Sequence, residues 1–138
     1  MPRLFGQEHV DRYLATGGEE GHEWVRGTKT LILTTKGRRT GEERQSPLIY
    51  GRRGDDYLVV ASKGGHPKPP AWYLNLVAEP NVTVQVKGER FRAKARTATP
   101  DEKPELWRIM TAEWPDYDEY QRKTDRDIPV VVLERIAE

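Results

Sequence analysis

The sequence predicts a mainly-β, α+β fold: a six-stranded antiparallel β-barrel, closed or split, with short flanking helices. Three observations predict it. Six segments carry strand patterns, and most of them are joined by turns of hairpin length. Only one intervening segment, residues 71–79, resembles a crossover, which argues against a doubly wound parallel sheet. Six short strands leave two open edges unless the sheet curls onto itself. With 138 residues the chain is sized for one domain, residues 1–138.

The elements follow in order. Gln7 to Thr16 places Val10, Tyr13 and Leu14 at i, i+3 and i+4 and stops at Gly17-Gly18, which predicts a helix. Lys29 to Thr35 is aliphatic and β-branched and reads as a buried strand ending at Gly37. The next strand runs from Arg44 to Arg52. Pro47 lacks a ladder donor, so this strand belongs at an edge, at a bulge or at a strand start. Arg53-Gly54-Asp55-Asp56 is a hairpin turn, and Tyr57 to Ser62 is the return strand. Lys63 to Pro70, with two Gly and three Pro, is a loop. The helical segment 71–79 ends before Pro80. Residues 81–87 and 90–96 alternate strictly and form a hairpin turning at Gly88-Glu89, with one wet face. Thr99-Pro100-Asp101-Glu102 reads as a helix start with Thr99 as N-cap, running to about Ala112. A short helix over 116–123 and a strand over 128–133 close the chain.

Composition excludes several classes. The chain is 36% hydrophobic and 33% charged, with no stretch of 18 apolar residues. Met1 to Gly6 has no apolar core of a secretory signal, so the cytoplasm is the expected compartment. The absence of cysteine removes disulfides, thiolate nucleophiles and cysteine metal sites. Net charge is +1 but unevenly spread: residues 36–53 carry +4, residues 54–100 carry +3, and residues 101–138 carry −5. The acidic closing segment argues against a nucleic-acid module, whose affinity rests on phosphate neutralisation. His9, His22 and His66 lack ligand spacing, so a zinc or haem site has little support.

Three places could carry chemistry. The loop Lys36-Gly37-Arg38-Arg39-Thr40-Gly41, followed by Arg44, sets guanidinium groups beside backbone turns, a combination suited to an anion. A solvated hairpin loop kept basic for solubility would carry the same residues. Ala61-Ser62-Lys63-Gly64-Gly65 ends a strand with small residues that let a flat ring lie against the backbone, or it is a flexible connection. Trp72 and Tyr73 are adjacent and cannot share a helix face; one is core, and the other could line a pocket with Asn75. Tyr117 and Tyr120, i and i+3 after Trp114, form either a pocket wall with two hydroxyls or a stripe of core.

Together these segments resemble the deazaflavin-dependent nitroreductase family, split-barrel flavin and deazaflavin oxidoreductases. The resemblance is carried by Gly21-His22-Glu23-Trp24, by Leu31 through Gly41, by Arg44 to Tyr50, by Ala61 to Gly65, by Pro70 to Leu76, by Trp114 to Gln121 and by Asp125 to Val132. It is colinear from about Gly17 to the end of the chain.

The resemblance implies a reductase that transfers a hydride from reduced coenzyme F-420, an 8-hydroxy-5-deazaflavin with a phosphate and an oligoglutamate tail. The acceptor would be an electron-poor small molecule: a quinone, a nitroaromatic or an enone. Arg38, Arg39, Thr40 and Arg44 would meet the phosphate and tail, and Gln45, Ser46, Pro47, Leu48 and Ile49 would line the groove. Val60, Ala61, Ser62 and Lys63 would edge the ring, with Ala71, Trp72, Tyr73, Leu74 and Asn75 closing its other side. Ser62, Tyr117 and Tyr120, with Trp114, would form the acceptor pocket and supply donors. Trp114 stands where many relatives have tyrosine, and Ile49 where some have an aromatic. FMN in the same barrel, or a cofactor-binding protein without turnover, are the alternatives. No metal, no nucleic acid and no stable membrane insertion are expected, peripheral membrane association is left open, and the chain would be a monomer or a homodimer.

Overall fold

The computed structural model describes residues 6–136, and the expected signal-free start at Met1 to Phe5 lies outside them. Helix α1 (Gly6–Thr16) leads into seven strands, β1 (Thr30–Lys36), β2 (Glu43–Ile49), β3 (Gly51–Arg53), β4 (Asp56–Val60), β5 (Asn81–Val86), β6 (Glu89–Thr97) and β7 (Val130–Arg135). Helix α2 (Ala71–Ala78) precedes β5, and α3 (Lys103–Glu113) and α4 (Asp116–Arg122) precede β7. All pairings are antiparallel, in the order β2-β1-β5-β6-β7-β4-β3.

The two ends of that order are consecutive in the chain. β2 pairs with β1 through Thr30↔Ile49, and after Tyr50 the chain changes partner, with Gly51 opposite Leu58 of β4. The sheet therefore curls until one bent strand spans both its ends, and it stays split along the free edge of β2. This explains why seven strands stand where six are expected: the segment 44–52 divides at Tyr50. Gly51 permits the division, since a Cβ there would lie 2.8 Å from Met110 Sδ of α3. Pro47, opposite Ile32, sits in this one-sided strand, where a missing donor is tolerated.

Alternation assigns each strand face. Leu31, Leu33, Tyr57, Val59, Val84, Phe91, Ala93, Val131 and Leu133 point into the barrel, where Trp72 and Leu76 of α2 join them. Leu58, Val60, Val130 and Val132 face outward beneath Leu106 and Met110 of α3 and Tyr117 of α4. Ile32 faces outward beneath Val10 and Tyr13 of α1. β4 and β7 are thus buried on both faces and read as unbroken apolar runs, whereas β6 has a wet outer face and alternates.

Among the boundaries that shift from expectation, three are instructive. The β5–β6 turn is Lys87-Gly88, one residue early, with Lys87 at φ 54° and its N–H held 2.7 Å from the Tyr13 hydroxyl. Residues 99–102 form a turn ahead of α3. Thr99 and Glu102 make both expected capping bonds, Thr99 N–H to Glu102 Oε2 at 2.8 Å and Glu102 N–H to Thr99 Oγ1 at 3.4 Å, while Glu102 is also held by Arg53 at 3.0 Å and by Arg96; the regular helix starts at Lys103. The last strand runs 130–135 rather than 128–133, because Ile128 and Pro129 still belong to the approach: Ile128 N–H donates to Gln121 Oε1.

Candidate active site

The split itself holds an apolar-walled cleft, a cavity of about 450 Å³. One wall is β2, whose Ser46, Pro47, Leu48 and Ile49 are all half-buried. The facing wall is the end of β4 and the turn after it, with Val60, Ser62, Lys63 and Gly64. Trp72 and Pro70 close one side, and Trp114, Tyr117 and Tyr120 the other. The volume falls within the range of cofactor pockets.

The turn after β4 has an unusual backbone. Ser62 is right-handed helical (φ −82°, ψ −40°), Lys63 has φ 47° and Gly64 φ 62°. A right-handed residue followed by left-handed ones turns successive N–H groups to the same side, a concavity suited to negative charge. The N–H groups of Ser62, Lys63 and Gly64 donate to no acceptor among the described residues. Gly65 is required where it stands: at φ 83° a Cβ would lie 2.7 Å from the Tyr120 carbonyl oxygen, so the turn lies directly on α4.

The aromatic wall is built by α4. Tyr117 is 5% exposed, and burial, reinforced by Tyr120 and Glu113, pushes its hydroxyl pKa above the ordinary tyrosine value. Like any tyrosine it is neutral near pH 7, and the shift makes its hydroxyl a weaker acid. Tyr120 stacks edge-on at 6.1 Å and accepts from Trp114 Nε1 at 3.3 Å. Trp114 is covered by the Arg26 guanidinium at 3.8 Å, and Arg26 pairs with Asp116 at 2.9 Å.

The basic loop between β1 and β2 is tied to α2 rather than to the cleft. Asn75 is buried; its Oδ1 accepts from Arg38 N–H at 3.2 Å and from Arg38 Nη1 at 3.0 Å, while its amide donates to Thr35. Arg38, Arg39, Thr40 and Arg44 are exposed, and Arg44 precedes the cleft-lining Ser46 by two residues on the same strand, roughly 7 Å along it. Of the residues singled out from sequence, Ser46 to Ile49, Val60, Ser62, Lys63, Trp72, Trp114, Tyr117 and Tyr120 meet in the cleft. Arg38, Arg39, Thr40, Arg44, Gln45, Ala61, Ala71, Tyr73, Leu74 and Asn75 do not line it. Tyr73 is half-exposed and bonds Thr97 at 2.8 Å, and Ala61 is barrel core.

Trp24, His9, Thr30 and Pro70 line the cleft without having been expected there. Trp24 lies 6.0 Å from Trp114 and 6.1 Å from His9, contacts between segments far apart in sequence that no local pattern signals. His9 is buried, with Nε2 donating to the Gly21 carbonyl at 2.8 Å. His22 sits at the other end of the barrel, 2.8 Å from the Tyr50 hydroxyl, and burial lowers its pKa.

An apolar, aromatic-walled cleft with a converging set of amides, in a split barrel, has the form of a pocket for a flat, anionic ligand. Comparison with known proteins narrows this. Residues 5–135 match the family model of the F420H(2)-dependent quinone reductases. An F420H(2)-dependent quinone reductase of Mycobacterium tuberculosis H37Rv, Rv1261c, is 42% identical over 130 residues, covering 92% of this chain and 87% of that protein. A solved F420-H2 dependent reductase (FDR-A) is 40% identical with a TM-score of 0.71, covering 76% of this chain and 93% of its own. A structure described as a domain-swapped dimer is 36% identical with a TM-score of 0.74, covering 93% and 96%. The chain belongs to the F420H(2)-dependent quinone reductase family. Its cofactor is accordingly coenzyme F-420, and its reaction passes a hydride from the reduced cofactor to a quinone.

Proposed function

We propose that the split between β2 and the Ser62–Gly64 turn is where this reductase binds F-420 and its acceptor, with nitroaromatics and enones as further acceptors. One observation carries the placement: the free edge of β2 faces three amides without acceptors across an apolar cleft, with exposed arginines at one end. The residues fit the group. A flat ring suits the cleft, and a phosphate with a glutamate tail suits Arg38, Arg39, Thr40 and Arg44.

When bound in its reduced form, the cofactor supplies the hydride. The chain supplies position and proton. Arg38, already anchored by Asn75, offers its remaining guanidinium donors to the tail. Ser62, Lys63 and Gly64 present N–H groups to negative charge in the cleft, where low polarity strengthens them. Trp24, Trp114 and Tyr120 offer stacking area for a planar acceptor and exclude water. Tyr117, which lines the cleft, donates a proton to the reduced acceptor, its position offsetting the weaker acidity that burial gives it.

The dimeric neighbour at 36% identity supports a homodimer for this chain, which light scattering checks. No helix among the described residues is long and apolar enough to cross a membrane. The test of function is oxidation of reduced F-420 by menadione. Turnover with micromolar cofactor supports the assignment; a yellow protein that holds FMN and ignores F-420 overturns it.

A further inference from the structure

Arg126, in the segment between α4 and β7, turns all three guanidinium nitrogens to main-chain carbonyls. Nε donates to His66 O at 2.9 Å, Nη1 to Ala61 O at 3.1 Å and Nη2 to Ser62 O at 2.7 Å. It has no carboxylate partner among the described residues. Desolvation makes such a cation costly, and burial pulls its pKa below the ordinary arginine value. Solubility or surface charge does not account for it. Arginine's planar fork reaches several oxygens at fixed angles, which a lysine ammonium on a flexible stem cannot do.

The three carbonyls bracket the turn whose amides face the cleft. Ala61 and Ser62 open it, and His66 closes it just after Gly65. In a right-to-left-handed turn the carbonyls and the N–H groups point to opposite sides, so holding the carbonyls outward holds the amides inward. The turn is otherwise weakly secured. Its internal bonds are Gly65 N–H to Ser62 O at 3.0 Å and His66 N–H to Lys63 O at 3.1 Å, and Lys63 pays the strain of a left-handed non-glycine residue.

We propose that Arg126 is a positioning residue for the active site: from outside the cleft, it fixes the Ser62–Lys63–Gly64 amides in the orientation that receives negative charge inside it. This rests on the cleft being the F-420 site. Its consequence is that a residue lining no part of the cleft sets cofactor affinity and the rate of hydride transfer. The positive guanidinium behind the Ala61 and Ser62 carbonyls also polarises those peptide groups, which sharpens the donors on the cleft side.

The experiment compares Arg126→Lys and Arg126→Ala with the wild type in two arms. Amide hydrogen exchange reads the turn without cofactor: exchange at Gly65 and His66, whose N–H groups bond Ser62 O and Lys63 O inside the turn, is expected to accelerate at least tenfold in both variants, with β1 unchanged. Fluorescence titration reads F-420 binding, expected to weaken about tenfold in both variants and to recover in Arg126→Ala with millimolar methylguanidinium. A merely structural arginine would speed exchange throughout β4 and β7 and would be served by lysine. Unchanged exchange at the turn, or an Arg126→Lys protein that binds F-420 as tightly as wild type, overturns the proposal. If the wild type itself fails to bind F-420, the cofactor-site assignment falls, and the exchange arm still decides whether Arg126 holds the turn.

Discussion

Along β6 the side chains alternate, with Phe91, Ala93 and Ala95 buried and Arg90, Arg92 and Lys94 in water, whereas along β2 five successive residues, Gln45 to Ile49, are all half-buried. β6 is bonded on both edges, to β5 and β7, and needs only to separate core from solvent. β2 is bonded on one edge, to β1, and the other looks into the cleft. Folding alone rewards alternation on a two-faced strand. Five successive half-buried residues on a strand with one free edge leave a surface that a bound group could cover. The contrast separates the half of the barrel built for stability from the half proposed to bind.

Leucine-to-alanine substitutions on the two sides should break the contrast most sharply. Leu133 in β7 is fully buried within the barrel, so Leu133→Ala is expected to cost about 3 kcal/mol in urea unfolding. Its effect on F-420 affinity of the folded fraction should be slight. Leu48→Ala in β2, half-buried on the cleft, should reverse this, at about 1 kcal/mol of stability and a severalfold loss of affinity. Equal effects at both positions would mean that β2 is ordinary core.

Tyr117→Phe keeps the ring in its cluster and removes the phenolic proton. A fall in kcat of roughly a hundredfold, with the cofactor KM nearly unchanged, is expected from loss of a positioned acid. A fall limited to the KM would recast Tyr117 as a wall.

The smallest expected effect lies on the far side. Glu102, 16% exposed, is bonded by Arg96, by Thr99 N–H and by Arg53, which lower its pKa from 4.5 to about 2. Because the folded value lies below the unfolded one, its contribution is fully present above pH 4.5 and disappears as the pH falls through 2. Glu102→Gln should cost about 1 kcal/mol at pH 7, since both arginines are about a third exposed. That deficit should shrink toward pH 2, with F-420 binding unaffected. A deficit constant with pH would show that the charge is not what stabilises.

Much of the fold was legible because each strand's surroundings write its pattern. The hairpin of β5 and β6 and the unbroken runs of β4 and β7 follow from one or two buried faces. The break at Tyr50 was not legible: Gly51 looks like any strand glycine until Met110 arrives from sixty residues away. In the cleft, the run 46–49, the strand end with Val60, Ser62 and Lys63, and the helix pair Tyr117/Tyr120 could be read, since each is local in sequence. Trp24, His9 and Arg126 could not, because tertiary packing alone brings them to the cleft or its back. Asn75 was seen as a pocket residue, whereas its amide spans Arg38 and Thr35 behind the wall.

The central claim is that the cleft holds the ring and the arginines at its end hold the anionic tail. It is tested most directly by titrating the wild type with intact F-420 and with the same deazaflavin stripped of phosphate and glutamates. The account predicts micromolar binding of the intact cofactor, at least tenfold tighter than the stripped one, with the advantage fading at high salt and in Arg38→Ala/Arg44→Ala. Equal affinity for the two, insensitive to salt, would contradict it.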